Sequence, residues 1–112
     1  MCIRDRYKMQ DYIDAQFGGP GKGFYRIVKS PFEARRVINA GKMAVVMGIE
    51  TSVPFGCTMK ADIPQCSIKD IDRQLDAVHK MGVRQMELVN KFDNALAGVA
   101  GDEGSTLSLI HI

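Results

Sequence analysis

Met43-Ala44-Val45-Val46-Met47-Gly48-Ile49 is the stretch that decides the fold, and Glu50 follows it directly. The run contains no charged side chain, which is typical of a parallel strand that is buried on both faces. A strand with one solvated face would instead alternate apolar and polar residues. The run therefore predicts an α/β protein in which the acid Glu50 stands at the carboxyl end of a strand.

The segment before this strand carries signals for both ends of a helix. Ser30 can cap the first turn, Pro31 has the backbone angle that this turn needs, and Glu33 can close a capping box. Gly41 can supply the left-handed residue that ends many helices. Residues 24–28 are apolar enough to form a strand before the helix.

The segment after Glu50 repeats this pattern. Ser67 is predicted to cap a helix with Asp70 one turn in, and Gly82 to end it. Residues 83–89 are predicted to form the next strand. The helix is expected to bury an apolar stripe made of Ile68, Ile71, Leu75 and Val78.

The amino-terminal part of the chain, residues 7–17, has a looser helical spacing. Its apolar residues Met9, Tyr12, Ile13 and Phe17 are expected on one side, with Asp11 and Asp14 on the other. The glycine-rich run 18–23 does not match a phosphate-binding loop, because Lys22 is followed by glycine instead of serine or threonine. We interpret the run as a flexible linker.

The alternation of strands and helices predicts a parallel sheet with about three strands. Three strands neither close a barrel nor complete a doubly wound sheet. The sequence therefore predicts a slice of a larger α/β domain.

The two ends of the chain encode one DNA sequence read from opposite strands. Residues 107–112 back-translate to CTGTCTCTTATACACATC, whose reverse complement reads Met-Cys-Ile-Arg-Asp one base in, as at residues 1–5. This DNA resembles the end of a transposase sequencing adapter. We therefore expect residues 1–6 and 107–112 to be adapter artefacts, and residues 7–106 to be an internal fragment.

Charge and hydropathy exclude some partners. The formal net charge of +2 falls to +1 without the adapter residues, so there is no electrostatic argument for nucleic acid or an anionic membrane. No apolar run approaches the ~20 residues of a membrane span.

Cys57 and Cys66 flank a short polar loop. They are a candidate disulfide if the protein resides in an oxidising compartment, such as the periplasm or the cell exterior. The alternative is two reduced, partly buried thiols. Their spacing fits no zinc knuckle.

Two groups of polar residues follow predicted strands. Glu50 follows the predicted strand 43–49, and Asn90 opens the segment 90–94 that follows the predicted strand 83–89. Active sites of parallel α/β folds lie at the carboxyl ends of the strands. Glu50 is therefore a candidate metal ligand or general base, and the alternative is a solvated loop acid.

At these residues the chain resembles the membrane dipeptidase family, the renal-dipeptidase-like branch of the metal-dependent amidohydrolases. Residues 41–50 resemble that family's strand and metal-site glutamate, and residues 26–36 resemble the helix that enters the strand. Residues 75–94 resemble the following helix, strand and loop. The resemblance extends from Phe24 to about Gly101.

The resemblance implies a (β/α)8 TIM barrel, of which this chain carries a part. It implies a hydrolase that cleaves dipeptide or related amide bonds, with two zinc ions, and a parent protein that forms a homodimer. Glu50 would be the carboxylate that bridges the ions. Bound dications lower the pKa of a shared water, which then attacks the carbonyl of the small peptide or amide substrate.

The chain also departs from the family. The family's other ligands, a His-x-Asp pair and two later histidines, are absent, and His79 is expected to be a structural or solvated helix residue. Asn90 stands where relatives commonly place a substrate-binding histidine, and an amide cannot act as an acid near neutral pH. The fragment is therefore expected to be inactive. The alternative is a catalytically dead barrel that serves as a binding or scaffold protein.

Overall fold

The computed structural model describes residues 3–100. The adapter prediction for 107–112 and for the first two residues therefore lies outside the described residues. The elements, in chain order, are α1 Ile3–Gln16, β1 Tyr25–Val28, α2 Pro31–Asn39, β2 Met43–Ile49, a 3-10 helix Pro54–Gly56, β3 Met59–Lys60, β4 Ile63–Pro64, α3 Ile68–Lys80 and β5 Val83–Met86.

Three parallel strands form one sheet in the order β1-β2-β5, so β2 is central. Tyr25 pairs with Met43 at one end of the β1–β2 ladder, and Val28 pairs with Val46 at the other. The predicted α/β class with about three parallel strands is thus confirmed. A short antiparallel ribbon, β3 with β4, was not predicted from the sequence.

The described chain divides into two compact units. The first unit contains residues 3–48 and 78–85, and the second contains residues 49–77 and 86–100. The predicted site residues Glu50 and Asn90 both belong to the second unit.

The helix boundary signals are confirmed. In α2, the Glu33 amide donates to Ser30 Oγ at 3.2 Å, and Gly41 follows the helix with φ 71°. In α3, the Asp70 amide donates to Ser67 Oγ at 3.2 Å. Such caps depend on residues within one helical turn, which explains why sequence alone predicts them.

The predicted burial of β2 on both faces is wrong. Met47 is buried, but Met43 is 51% exposed and Val46 is 53% exposed. The predicted buried stripe of α3 is wrong as well, since Ile68 is 77% exposed and the helix buries no residue. Apolar periodicity reports which face favours burial, but it does not supply the surface that covers that face.

Helix α1 docks through a polar face, which the sequence did not predict. Tyr7, Gln10 and Asp14 share one side of the helix, three and four residues apart. The Tyr7 hydroxyl donates to the Met81 carbonyl at 2.9 Å, and Gln10 Oε1 accepts from the Ile27 amide at 2.8 Å. Three of the four apolar residues that were expected on one side of the helix are exposed, namely Met9, Tyr12 and Phe17.

Asp14 is the deepest of these contacts, with 5% of its surface exposed. Its carboxylate pairs with Arg26 and accepts from the amides of Gly21 at 2.9 Å and Gly23 at 2.8 Å. These bonds hold the run 18–23 in a hydrogen-bonded turn against Asp14, which its interpretation as a linker did not predict. The carboxylate acts over several residues, which a local glycine pattern does not reveal.

We expect Gly82→Ala to destabilise the first unit more than Gly41→Ala. Both glycines have positive φ, which costs about 1–2 kcal/mol for alanine. A Cβ at Gly82 would also collide with the Tyr7 hydroxyl and lie 3.0 Å from Met47 Cε, whereas Gly41 faces open space. Overpacking adds about 1–3 kcal/mol. Urea unfolding of both variants measures the difference, and equal losses would contradict the packing of Tyr7 against this turn.

We expect the contribution of Asp14 to stability to disappear in acid. The hydrogen bond from Arg26, with smaller help from the Gly21 and Gly23 amides, lowers the pKa of Asp14 from 3.8 to about 2. A depressed carboxyl pKa stabilises the fold above pH 4, and this stabilisation is lost as pH falls from about 4 to 2.

The measurement compares thermal unfolding of Asp14→Asn and wild type at pH 7 and pH 2. The midpoint of Asp14→Asn should be lower at pH 7, and the gap should be much smaller at pH 2. Asp11→Asn is the control, because Asp11 is exposed on the same helix. A gap that persists unchanged at pH 2 would contradict the role of the Asp14 carboxylate.

Candidate site at the ends of strands β2 and β5

Glu50 and Asn90 meet in the second unit. Asn90 Nδ2 donates to Glu50 Oε1 at 2.7 Å across 40 residues of sequence. Glu50 follows β2 directly and is exposed, whereas Asn90 is half-buried. The structure thus brings together the two residues that the sequence selected by their positions after successive strands.

Strand β5 is shorter than predicted, which changes how Asn90 is presented. The strand ends at Met86, three residues before the predicted end. The Glu87 amide still donates to the Ile49 carbonyl at 3.0 Å, and the chain then leaves the ladder. Asn90 is therefore held by a loop, and its position depends on contacts beyond the sheet.

Asn94 ties this loop to the segment after β2. Only 7% of its surface is exposed. Its Nδ2 donates to the Ser52 carbonyl at 2.9 Å and to the Leu88 carbonyl at 2.7 Å. Asn94 belongs to the polar group 90–94, but its sequence position alone indicated no role for it. The available signal was the tendency of asparagine side chains to bond nearby backbone in turns.

Two further bonds support the same loops. The Lys91 amide donates to Ser52 Oγ at 3.1 Å, so the residue after Asn90 is held against the segment that carries Glu50. The Ala95 amide donates to the carbonyl of Cys57 at 2.9 Å, and Cys57 is fully buried.

The structure joins Cys57 and Cys66 in a disulfide with a Cα–Cα distance of 5.0 Å. The closed loop contains the β3–β4 ribbon, whose turn residues Ala61 and Asp62 have φ of 48° and 62°. Two consecutive left-handed residues match the twist of a tight hairpin. Of the two alternatives for the cysteines, the disulfide is the one that the structure contains.

The described residues do not complete a metal centre. Among residues 3–100 there is no group of three His, Cys, Asp or Glu side chains that could hold an ion. A catalytic zinc takes about three protein ligands, and Glu50 offers one carboxylate. His79 is exposed in the last turn of α3, as the sequence predicted for a solvated residue.

The pair Glu50 and Asn90 has a defined chemical capacity. The carboxylate can bind a cation or accept a proton, and the amide fixes the orientation of one carboxylate oxygen at 2.7 Å. The amide cannot supply a proton near neutral pH, so the pair by itself has a base and no acid.

Comparison of the chain with protein families finds no match, and neither does comparison with curated proteins or with solved structures. Within residues 3–100, none of the helices has the length and apolar character needed to cross a bilayer.

Reduction of the disulfide should destabilise the second unit. A bridge that spans 9 residues stabilises by about 2–3 kcal/mol in the chain-entropy account. Urea unfolding with and without dithiothreitol measures the loss. The double variant Cys57→Ser, Cys66→Ser should match the reduced protein and should not respond to the reductant. An unchanged midpoint for the wild type would contradict this prediction.

Proposed function

We propose that this chain is a segment of a (β/α)8 TIM-barrel hydrolase of the membrane dipeptidase type. The complete protein would cleave dipeptide or related amide bonds. The observation that supports this proposal is the 2.7 Å hydrogen bond between Asn90 and Glu50 after neighbouring parallel strands. Active sites of such barrels are built from loops at this end of the strands.

In the proposed complete protein, Glu50 would be one of the ligands that hold two zinc ions, and such ions would supply a nucleophile by lowering the pKa of a bound water. Residues outside this chain would supply the other ligands. Asn90 would orient the Glu50 carboxylate and donate to the carbonyl oxygen of a small peptide substrate. Because one carboxylate does not make a two-metal centre, the chain alone is inactive in this proposal.

The metal role of Glu50 can be tested on this chain. Paramagnetic Mn²⁺ should bind weakly and broaden the NMR signals of Glu50 and Asn90, because a single carboxylate is a poor site for a dication. Glu50→Gln removes the charge, keeps the volume and should abolish this broadening. Glu87→Gln is the matched control, since Glu87 is also exposed and follows β5.

Equal broadening in the Glu50→Gln and wild-type chains would contradict the metal role. Tight, stoichiometric binding of two zinc ions by the wild-type chain, measured by calorimetry, would contradict the proposal that most ligands lie outside it. Hydrolysis of a dipeptide above a metal-only blank would have the same meaning.

In the complete protein, Glu50→Gln should lower both metal content and kcat. The loss should be about a thousandfold or more, on the order of 4 kcal/mol in barrier height. Glu87→Gln should retain turnover, because Glu87 has no role in the proposed centre. Metal analysis and kcat measured side by side decide the matter, and small effects at both positions would remove the basis for the hydrolase proposal.

The second candidate is a catalytically dead barrel that acts as a binding or scaffold protein. Its support is the β3–β4 ribbon, which the disulfide Cys57–Cys66 encloses. In this ribbon Met59 is 48% exposed and Ile63 is 63% exposed. Asn90 in place of histidine also fits a site without acid chemistry. The sequence of the first strand of the complete protein separates the candidates, because a His-x-Asp pair there favours the enzyme.

A further inference from the structure

The donors and the acceptor of the Asn94 side-chain amide all form hydrogen bonds within the second unit. Its two N–H groups donate to the carbonyls of Ser52 and Leu88, at 2.9 and 2.7 Å. Its oxygen accepts from the amides of Leu96 at 2.7 Å and Ala97 at 3.0 Å. Two donors and two acceptor sites are the full capacity of an asparagine amide. A buried polar group with every site filled has one defined orientation.

The two halves of this amide serve different segments. The oxygen half holds the turn that follows Asn94 itself. The nitrogen half joins two carbonyls that lie two residues from the site: Ser52 follows Glu50 by two, and Leu88 precedes Asn90 by two. The bond from the Glu87 amide to the Ile49 carbonyl also joins the two chain segments, at residues that precede both site residues.

We propose that Asn94 is a positioning residue that holds Glu50 and Asn90 side by side. The significance of this role for catalysis rests on the proposed function. The positioning itself rests on the nitrogen half of the Asn94 amide, which bonds the site-bearing segments at the same time. A residue that only stabilised its own turn would need the oxygen half alone.

Asn94→Asp separates these two roles. The variant keeps the acceptor oxygen for Leu96 and Ala97 but replaces the two donors with an oxygen that faces the carbonyls of Ser52 and Leu88. We expect hydrogen exchange of the Asn90 side-chain amide, followed by ¹⁵N NMR, to accelerate about tenfold or more, as its bond to Glu50 loosens. The backbone amides of Leu96 and Ala97 should keep their protection.

Asp93→Ala is the matched control. Asp93 Oδ1 accepts from the Val99 amide at 2.7 Å, so this variant removes a bond of the same loop that does not join the segments of Glu50 and Asn90. It should leave exchange at Asn90 unchanged. If Asn94→Asp does not fold, Asn94→Ser is the second variant, because a hydroxyl can still accept from the following turn but is too short to bridge both carbonyls.

Unchanged exchange at Asn90 in the folded Asn94 variant would overturn the positioning role, as would equal acceleration in Asp93→Ala. Mn²⁺ broadening separates this result from the hydrolase proposal. Loosening of Asn90 in a chain whose Glu50 binds no Mn²⁺ would support the positioning role and contradict the hydrolase. Broadening at Glu50 together with unchanged exchange at Asn90 in Asn94→Asp would overturn the positioning role and support the metal role.

Discussion

The pairing of β2 with both of its neighbours is the constraint on which the sheet and the candidate site depend. β2 lies between β1 and β5, and the parallel arrangement sends all three strands toward the same edge. Residues that directly follow β2 and β5 therefore lie at the same edge of the sheet. This geometry explains how Glu50 and Asn90, which are 40 residues apart, come within hydrogen-bonding distance.

Two buried polar side chains, Asp14 and Asn94, bond to segments outside the sheet. In the first unit the Asp14 carboxylate holds the turn 18–23 and pairs with Arg26. In the second unit the Asn94 amide holds the loop that carries Asn90. Each group satisfies several backbone donors or acceptors at once, and a buried polar group is costly unless it does so. Replacing either group leaves partners unsatisfied, which gives these two positions large expected effects.

The sequence predictions were correct where the interaction behind them joins residues close in sequence, and wrong where it joins residues far apart in sequence. The caps at Ser30 and Ser67 and the stop at Gly41 were predicted correctly, because each depends on residues within one turn. The burial of β2 and α3 was predicted wrongly, because burial depends on what packs against a face. The polar docking of α1 was missed for the same reason, since Gln10 and Asp14 bond to residues beyond the helix.

The sequence by itself determined the α/β class, the order of the main elements and the choice of Glu50 and Asn90 as residues that follow strands. Periodicity, capping and chain order are properties of consecutive residues, so they need no knowledge of the fold. Only the tertiary structure decided that β5 ends at Met86, that Asn90 donates to Glu50, and that Asn94 joins their loops. These are contacts between distant residues, and their geometry exists only once the parallel sheet has brought the strand ends together.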